Sequence, residues 1–232
     1  MRAAILVAIL TFAGAASAAD TRTTRQVDAF TAVVVAAPIT VYFTQGDAES
    51  LALEGDPSAL AQLDTVVENG RLKLEQRTRE RVPLMSKVKA YVTGRDIRRL
   101  SISGAGDIVV NSPLRTGDLK LAIAGSGDIH IAQLTAAKVD IDIGGSGDIT
   151  VAGKADSVAS SIAGSGGLRA GRLEVGEARV SIAGSGDATL WPRAKLSASI
   201  IGSGDVRYYG DPAVRTSIVG SGDVRRMGAA PS

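Results

Sequence analysis

The 232-residue chain has no cysteine, one histidine, one tryptophan and only 3% aromatic residues. Lack of cysteine excludes disulfides, and it also excludes a lipid-modified cysteine behind an export leader, so stability has to come from packing alone. So few rings rule out an ordinary globular core built around aromatic side chains. The 27 glycines fit a narrow interior of small aliphatic residues better. A formal net charge of +2, or +1 once Arg2 is lost with a leader, argues against a general nucleic-acid binder. The single histidine, His130, alternates to an outward position, so a serine, histidine and aspartate triad would have to be assembled from surface residues. A solvated side chain is the favoured reading.

A membrane-spanning run is missing too. The apolar stretch Ala3 to Ala13 is shorter than the roughly 20 residues a bilayer requires. Arg2 precedes it and the small-residue pattern Ala16-Ser17-Ala18 follows, which together read as a secretory signal peptide over residues 1–19. Export to the periplasm, the cell surface or the extracellular space is therefore expected. Residues 20–26, polar and threonine-rich, are expected to form a flexible leader.

What the chain has in abundance is one turn. Gly104-Ala-Gly-Asp107 recurs as Gly125-Ser-Gly-Asp128, Gly145-Ser-Gly-Asp148, Gly164-Ser-Gly-Gly167, Gly184-Ser-Gly-Asp187, Gly202-Ser-Gly-Asp205 and Gly220-Ser-Gly-Asp223, a spacing of 18 to 21 residues. A period near twenty means stacked structural repeats. Apolar alternation flanks each turn, as in Leu119, Leu121 and Ile123 before it and Ile129 and Ile131 after it, with Lys120 and His130 between. That pattern is strand, turn, strand, with one face buried. A propeller blade needs roughly twice this period, and a hairpin needs a second tight turn in every unit. One constant corner per unit instead predicts a parallel β-helix from about Leu100, within a mainly all-β chain. No coil can fold alone, so each must share backbone hydrogen bonds with its neighbours.

Residues 27–99 are expected to precede the helix as irregular strands, with residues 27–228 forming one domain and 229–232 a tail. Val33 and Val35, then Ile39, Val41 and Phe43, predict two strands broken at Pro38. Asp56-Pro57 predicts the start of one short helix, and Glu68-Asn69-Gly70 predicts a hairpin. From Arg71 to Arg99, ten basic residues face three acids. A patch for acidic glycans or lipopolysaccharide competes here with a solvated face that protects strand edges, and edge protection is favoured.

The only constellation that suggests chemistry is a column of acids: Asp107, Asp128, Asp148, Asp187, Asp205 and Asp223, interrupted by Gly167. Stacked carboxylates about 4.8 Å apart repel by roughly 1 kcal/mol in water and 3 to 4 at an effective dielectric of 20, so something must offset them. Backbone N–H groups of the turn capping each carboxylate is the favoured answer. Calcium between coils is the alternative, although each coil offers only one carboxylate. Equivalent positions along a repeat do not supply the unlike carboxylate pair of a glycosidase, which argues for structure rather than catalysis. The glycine turns lack the lysine of a P-loop. Trp191, before Pro192, is either a ligand-facing ring or a packed corner, with packing favoured.

Val27-Asp-Ala-Phe30, the stretch through Asn69-Gly-Arg-Leu72, and Leu100-Ser-Ile-Ser-Gly-Ala-Gly-Asp107 with its copies resemble the auto-transporter adhesin head GIN domain family (DUF2807), from roughly Val27 to Val224. The resemblance implies a right-handed β-helix, an envelope or extracellular location and no assigned enzymatic activity. Nothing after Met227 would form a translocator barrel, so a complete autotransporter is not expected. The function expected is a non-catalytic, adhesin-like or envelope-associated binding module, with an envelope polysaccharide or a surface protein as partner. The alternatives are a polysaccharide hydrolase or lyase and a purely structural envelope element.

Overall fold

Strands that alternate apolar and polar residues over a 20-residue period cannot bury one face alone, and here they do so by stacking. The computed structural model describes residues 21–77 and 88–229. The signal peptide expected over 1–19, the cations Arg79, Arg81 and Lys87, and residues 230–232 of the tail lie outside the described residues.

The chain opens with β1 (Thr21–Arg25), β2 (Ala32–Ala36), β3 (Thr40–Gln45) and β4 (Ser50–Gly55), then the short helix α1 (Pro57–Ala61). A hairpin of β5 (Leu63–Glu68) and β6 (Arg71–Gln76) follows, and then β7 (Lys89–Gly94), β8 (Arg99–Gly104) and β9 (Asp107–Val110). Long strands then bend around most of a coil each: β10 (Leu114–Gly125), β11 (Ile129–Gly145), β12 (Asp148–Gly164), β13 (Gly167–Gly184) and β14 (Asp187–Gly202). β15 (Val206–Tyr209), β16 (Ala213–Gly220) and β17 (Val224–Gly228) complete a single 17-stranded sheet. The result is a parallel β-solenoid.

In the repeat, β10 to β14 pair parallel and in register, so that Gly104, Gly125, Gly145, Gly164, Gly184, Gly202 and Gly220 lie one above another. The residue two places before each of these glycines is isoleucine. Ile102, Ile123, Ile143, Ile162, Ile182 and Ile200 form a column at 2% exposure or less. The neighbouring inward column runs Leu100, Leu121, Ile141, Ser160, Val180, Ala198. Ser160 is its one polar member, and its buried hydroxyl has no hydrogen-bond partner.

The expectation that the solenoid starts near Leu100, after irregular strands, needs correction. β2 and β3 lie parallel to β8 and β9 on one side and to β6 and β7 on the other. Residues 32–45 are thus a coil inserted between two that come later in sequence. Their corner is Ala37-Pro38 rather than glycine, so the repeat does not mark them, although Val33, Val35, Ile39, Val41 and Phe43 are all buried as the alternation requires. Thr21–Arg25, expected within the flexible leader, is a strand antiparallel to β4. It is held by Arg25, whose guanidinium donates to the carbonyls of Leu60 (3.1 Å) and Leu63 (2.9 Å) and to the Thr65 hydroxyl (2.8 Å).

These N-terminal elements close one end of the solenoid. The antiparallel strands β4 and β1 cover β7, and β5 covers β6. Between them α1 starts at Asp56, whose carboxylate accepts the Ser58 N–H at 2.8 Å, and presents Ala59 and Leu60 to the core. The β5–β6 turn uses positive φ at Asn69 (51°) and Gly70 (70°), as the Asn-Gly pair predicts.

Candidate functional site

The two glycines of each corner do different jobs. The first has φ between 117° and 143° in all seven turns, a range closed to ordinary L-residues. The second has no such requirement. From Gly127 to Gly222 it has no room for a Cβ, which would overlap the carbonyl oxygen of the second glycine one coil below and press on the isoleucine Cγ2 of that coil. The corners are tied by paired amides. Ser126 N–H donates to Gly104 O at 2.9 Å with Gly127 N–H at 3.3 Å, and the pattern recurs up to Ser221 and Gly222 on Gly202 O, except that at Ser203 the serine amide bonds alone.

The aspartates sit on the outer side of this corner and bond mainly between coils, Asp223 alone taking an N–H of its own turn, that of Val224 at 2.8 Å. Asp107 Oδ1 accepts the Asp128 N–H (3.1 Å), Asp128 Oδ1 that of Asp148 (2.8 Å), Asp187 Oδ1 that of Asp205 (2.9 Å) and Asp205 Oδ1 that of Asp223 (3.1 Å). At four positions of the column the second oxygen meets an arginine: Asp148 with Arg169 (2.7 Å), Asp187 and Asp205 with Arg207 (3.3 and 3.0 Å), Asp223 with Arg225 (3.0 Å). N–H donors and guanidinium groups thus offset the repulsion along the column. At the interruption, a Cβ on Gly167 would stand 2.6 Å from Asp148 Oδ1. Among the described residues, no group of three or more His, Cys, Asp or Glu side chains could hold a metal ion.

Other sequence-predicted positions are dispersed. Trp191 is half-buried at a corner beside Gly210, whose Cβ would lie 3.6 Å from the indole Cδ1. In the basic stretch, Lys73 pairs with Glu68, Arg77 with Asp64 and Lys89 with Glu54, while Arg95 reaches the Asp47 carbonyl. Glu68 and Glu54 raise the pKa values of their lysines, and Lys89 in turn lowers that of Glu54. Each of these four cations is engaged by a local partner.

The structure assembles a groove that the sequence reading missed. His130, Thr150, Arg169 and Thr189 are consecutive outward residues of one row, in register from β11 to β14. Arg172 and Tyr209 close its far side, leaving an open cavity of about 580 Å³. Gly171 makes the groove possible, because a Cβ there would come 3.1 Å from Tyr209 Cε2, so the ring lies against bare backbone. No carboxylate lines it. The clue in the sequence was the row two residues beyond each aspartate position, where His130, Arg169, Arg207 and Arg225 collect.

Around the next corner a second cavity of about 750 Å³ brings acids and bases together: Lys154, Asp156, Glu174 and Arg193. Glu174 is already bridged there, Oε1 to Arg193 at 2.7 Å and Oε2 to Lys154 at 3.7 Å.

The solenoid is similar to several solved structures. A "putative adhesin" from Bacteroides fragilis superposes with a TM-score of 0.86 at 25% identity, over 91% of this chain and 98% of that one. A "putative adhesin" from Parabacteroides distasonis gives 0.75 at 24% identity, over 91% and 98%. A "putative lipid binding protein" from the same species gives 0.71 at 22%, again over 91% and 98%, and at that identity shows the fold alone. No curated protein matches this chain. Among the described residues no helix is long and apolar enough to cross a membrane. The profile described as "Putative auto-transporter adhesin, head GIN domain" matches residues 29–212, and this chain belongs to that family.

Proposed function

We propose that this protein is an exported, non-catalytic binding module of the cell envelope, and that its ligand is an acidic glycan seated in the groove between Arg169 and Tyr209. The observation that carries the reading is the lining of that groove: the Arg172 guanidinium, the Arg169 guanidinium (itself bridged to Asp148 at 2.7 Å), an imidazole, two threonine hydroxyls and a tyrosine ring, with no carboxylate in the lining. Arginine forks suit carboxylates and sulfates bidentately. Tyrosine offers an apolar ring face with a polar tip, which fits a sugar's CH face and its hydroxyls. The leader over residues 1–19 and the adhesin-like relatives support an envelope location. The alternative, a polysaccharide-cleaving enzyme, draws only on Asp156 and Glu174 in the second cavity, where both oxygens of Glu174 are occupied by cations.

The test is a glycan-binding screen of the chain without its leader, with Arg172→Ala and Tyr209→Ala compared at equal folded fraction. Each substitution is expected to weaken binding to uronate- or sulfate-bearing glycans at least tenfold, about 1.4 kcal/mol. Binding unaffected by both, or no acidic glycan bound, would reject the proposal. Release of new reducing ends from the same glycans, abolished by Glu174→Gln, would favour the enzyme.

A further inference from the structure

The two ends of the solenoid are finished differently. At the N-terminal end, β1, β4, β5 and α1 close the stack. At the other end the last coil is open. Val214, Thr216 and Ile218 of β16 stand in register over Leu196, Ala198 and Ile200, which are buried to 4% or less. They are core positions by alternation, yet Val214 is 37% and Ile218 39% exposed, because no described strand lies above them. Val219 beside them is 66% exposed and Met227 on β17 48%. β16 pairs only with β14 and β17 only with β15, so their outer edges carry no ladder partner among the described residues. Natural edge strands are usually blunted by lysine, proline or a bulge. β16, Ala-Val-Arg-Thr-Ser-Ile-Val-Gly, has neither lysine nor proline nor bulge, and its one charge is Arg215.

We infer that β16 pairs with β16 of a second copy of this chain, so that two solenoids join end to end about a two-fold axis. A head-to-tail stack is closed off because the N-terminal end is capped by the antiparallel strands β1, β4 and β5 and by α1. Joining like to like produces a closed dimer and leaves no further open end. The sequence of β16 is self-complementary in the required sense. In an antiparallel pair, directly opposed residues point to the same face, so inward residues must oppose inward residues. Centring the axis on Thr216 does this and sets Val214 against the partner's Ile218, Thr216 against the partner's Thr216, and Arg215 against the partner's Ser217. Apolar meets apolar, hydroxyl meets hydroxyl, and the guanidinium avoids its own copy. The core would then run on from one solenoid into the other, as it already does from coil to coil. β16 and β17 supply 8 and 5 residues of edge, fewer than the roughly 20 to 30 residues per partner of a standard interface, so the dimer is a weak, concentration-dependent one.

Sedimentation or light scattering of the chain without its leader, from about 1 to 100 μM, is expected to show the mass rising towards twice that of the monomer. Ile218→Lys, at an already exposed position, is expected to shift the midpoint at least tenfold upwards with the far-ultraviolet spectrum unchanged. Because the chain has no cysteine, a covalent readout is also clean. Under mild oxidation Thr216→Cys should form a disulfide-linked dimer at least tenfold faster than Ser126→Cys on the exposed corner. The linkage result decides the matter if Ile218→Lys fails to fold. A monomer throughout the range would overturn the inference. So would a dimer indifferent to Ile218→Lys, or Thr216→Cys linking no faster than Ser126→Cys.

Discussion

The N-terminal coils and the repeat coils build one solenoid with two chemistries. Residues 32–45 turn their corner at Ala37-Pro38, bury Phe43 and lie in a region where Phe30 packs against Gly94. The repeat turns on paired glycines over a column of isoleucine. A coil therefore does not need glycine to bend. What glycine provides is room for one corner to rest on an identical corner, and the junction between the two regions shows it. Gly104 has the same positive φ as its successors, but it rests on the Ala37-Pro38 coil, and a Cβ there would meet nothing within 4 Å. Gly125, one coil up, rests on Gly104 itself, and its Cβ would overlap the Gly104 carbonyl.

The largest expected effect breaks this comparison directly. Gly125→Ala combines an unfavourable φ with a backbone clash that no rotamer relieves, and should cost more than about 4 kcal/mol, enough to leave little folded protein. Gly104→Ala meets only the φ penalty, about 1 to 3 kcal/mol. Denaturant unfolding of both measures the difference. Equal losses would mean that conformational freedom alone, and not corner stacking, selects the glycines.

How much of this was legible in the sequence follows from the same contrast. The repeat region announced itself, because register in a solenoid copies one corner onto the next and leaves a periodic trace. The helix at Asp56-Pro57 and the Asn69-Gly70 hairpin were legible too, since each depends on local chemistry. The coil of β2 and β3 was seen as two strands but not as a coil. Its pairings span tens of residues in sequence, with Val33 beside both Leu72 and Leu100, and no local signal encodes them. The pairing of β1 with β4 was invisible for the same reason. At the site, the aspartates were found by spacing, but the expected bonds within the turn occur only at Asp223, and four others run to the next coil. The groove escaped because Tyr209 and Gly171 touch only after nearly two coils of winding, and Arg169 and Arg172 stand in a repeat unit whose turn is the irregular one.

A smaller effect separates the capped end from the repeat. Asp56→Ala removes the acceptor for the Ser58 N–H and should destabilise α1, by less than Gly104→Ala destabilises the repeat. The Ser58 hydroxyl and N–H together hold the Asp56 carboxyl below its usual range. A folded pKa below the unfolded one means that this contribution is fully present above an unfolded value of about 3.9 and is lost as pH falls through the lower folded value. Hydrogen exchange at α1 should therefore accelerate relative to the repeat below about pH 4. Equal acceleration in both regions would show that the cap titrates no differently from the coils.

The smallest effect belongs to the aspartate column, an outward feature confined to the repeat. Asp128→Asn keeps an oxygen to accept the Asp148 N–H, though a neutral acceptor is weaker than a charged one. It also removes the repulsion of Asp128 with Asp107 and Asp148, worth roughly 1 kcal/mol per neighbour in water. The two changes oppose each other at an exposed corner, so stability should move by less than about 0.5 kcal/mol, or 1 to 2 °C in Tm for a chain of this size. Millimolar calcium against chelator gives the complementary measurement. The carboxylates of the column are already taken by backbone N–H groups, by arginines or by both and have little left to offer a cation, so the expected Tm shift is under about 1 °C. A rise of several degrees that disappears in Asp128→Asn would instead mean that calcium displaces those partners, and that the repeat region, unlike the N-terminal coils, is stabilised from outside the chain.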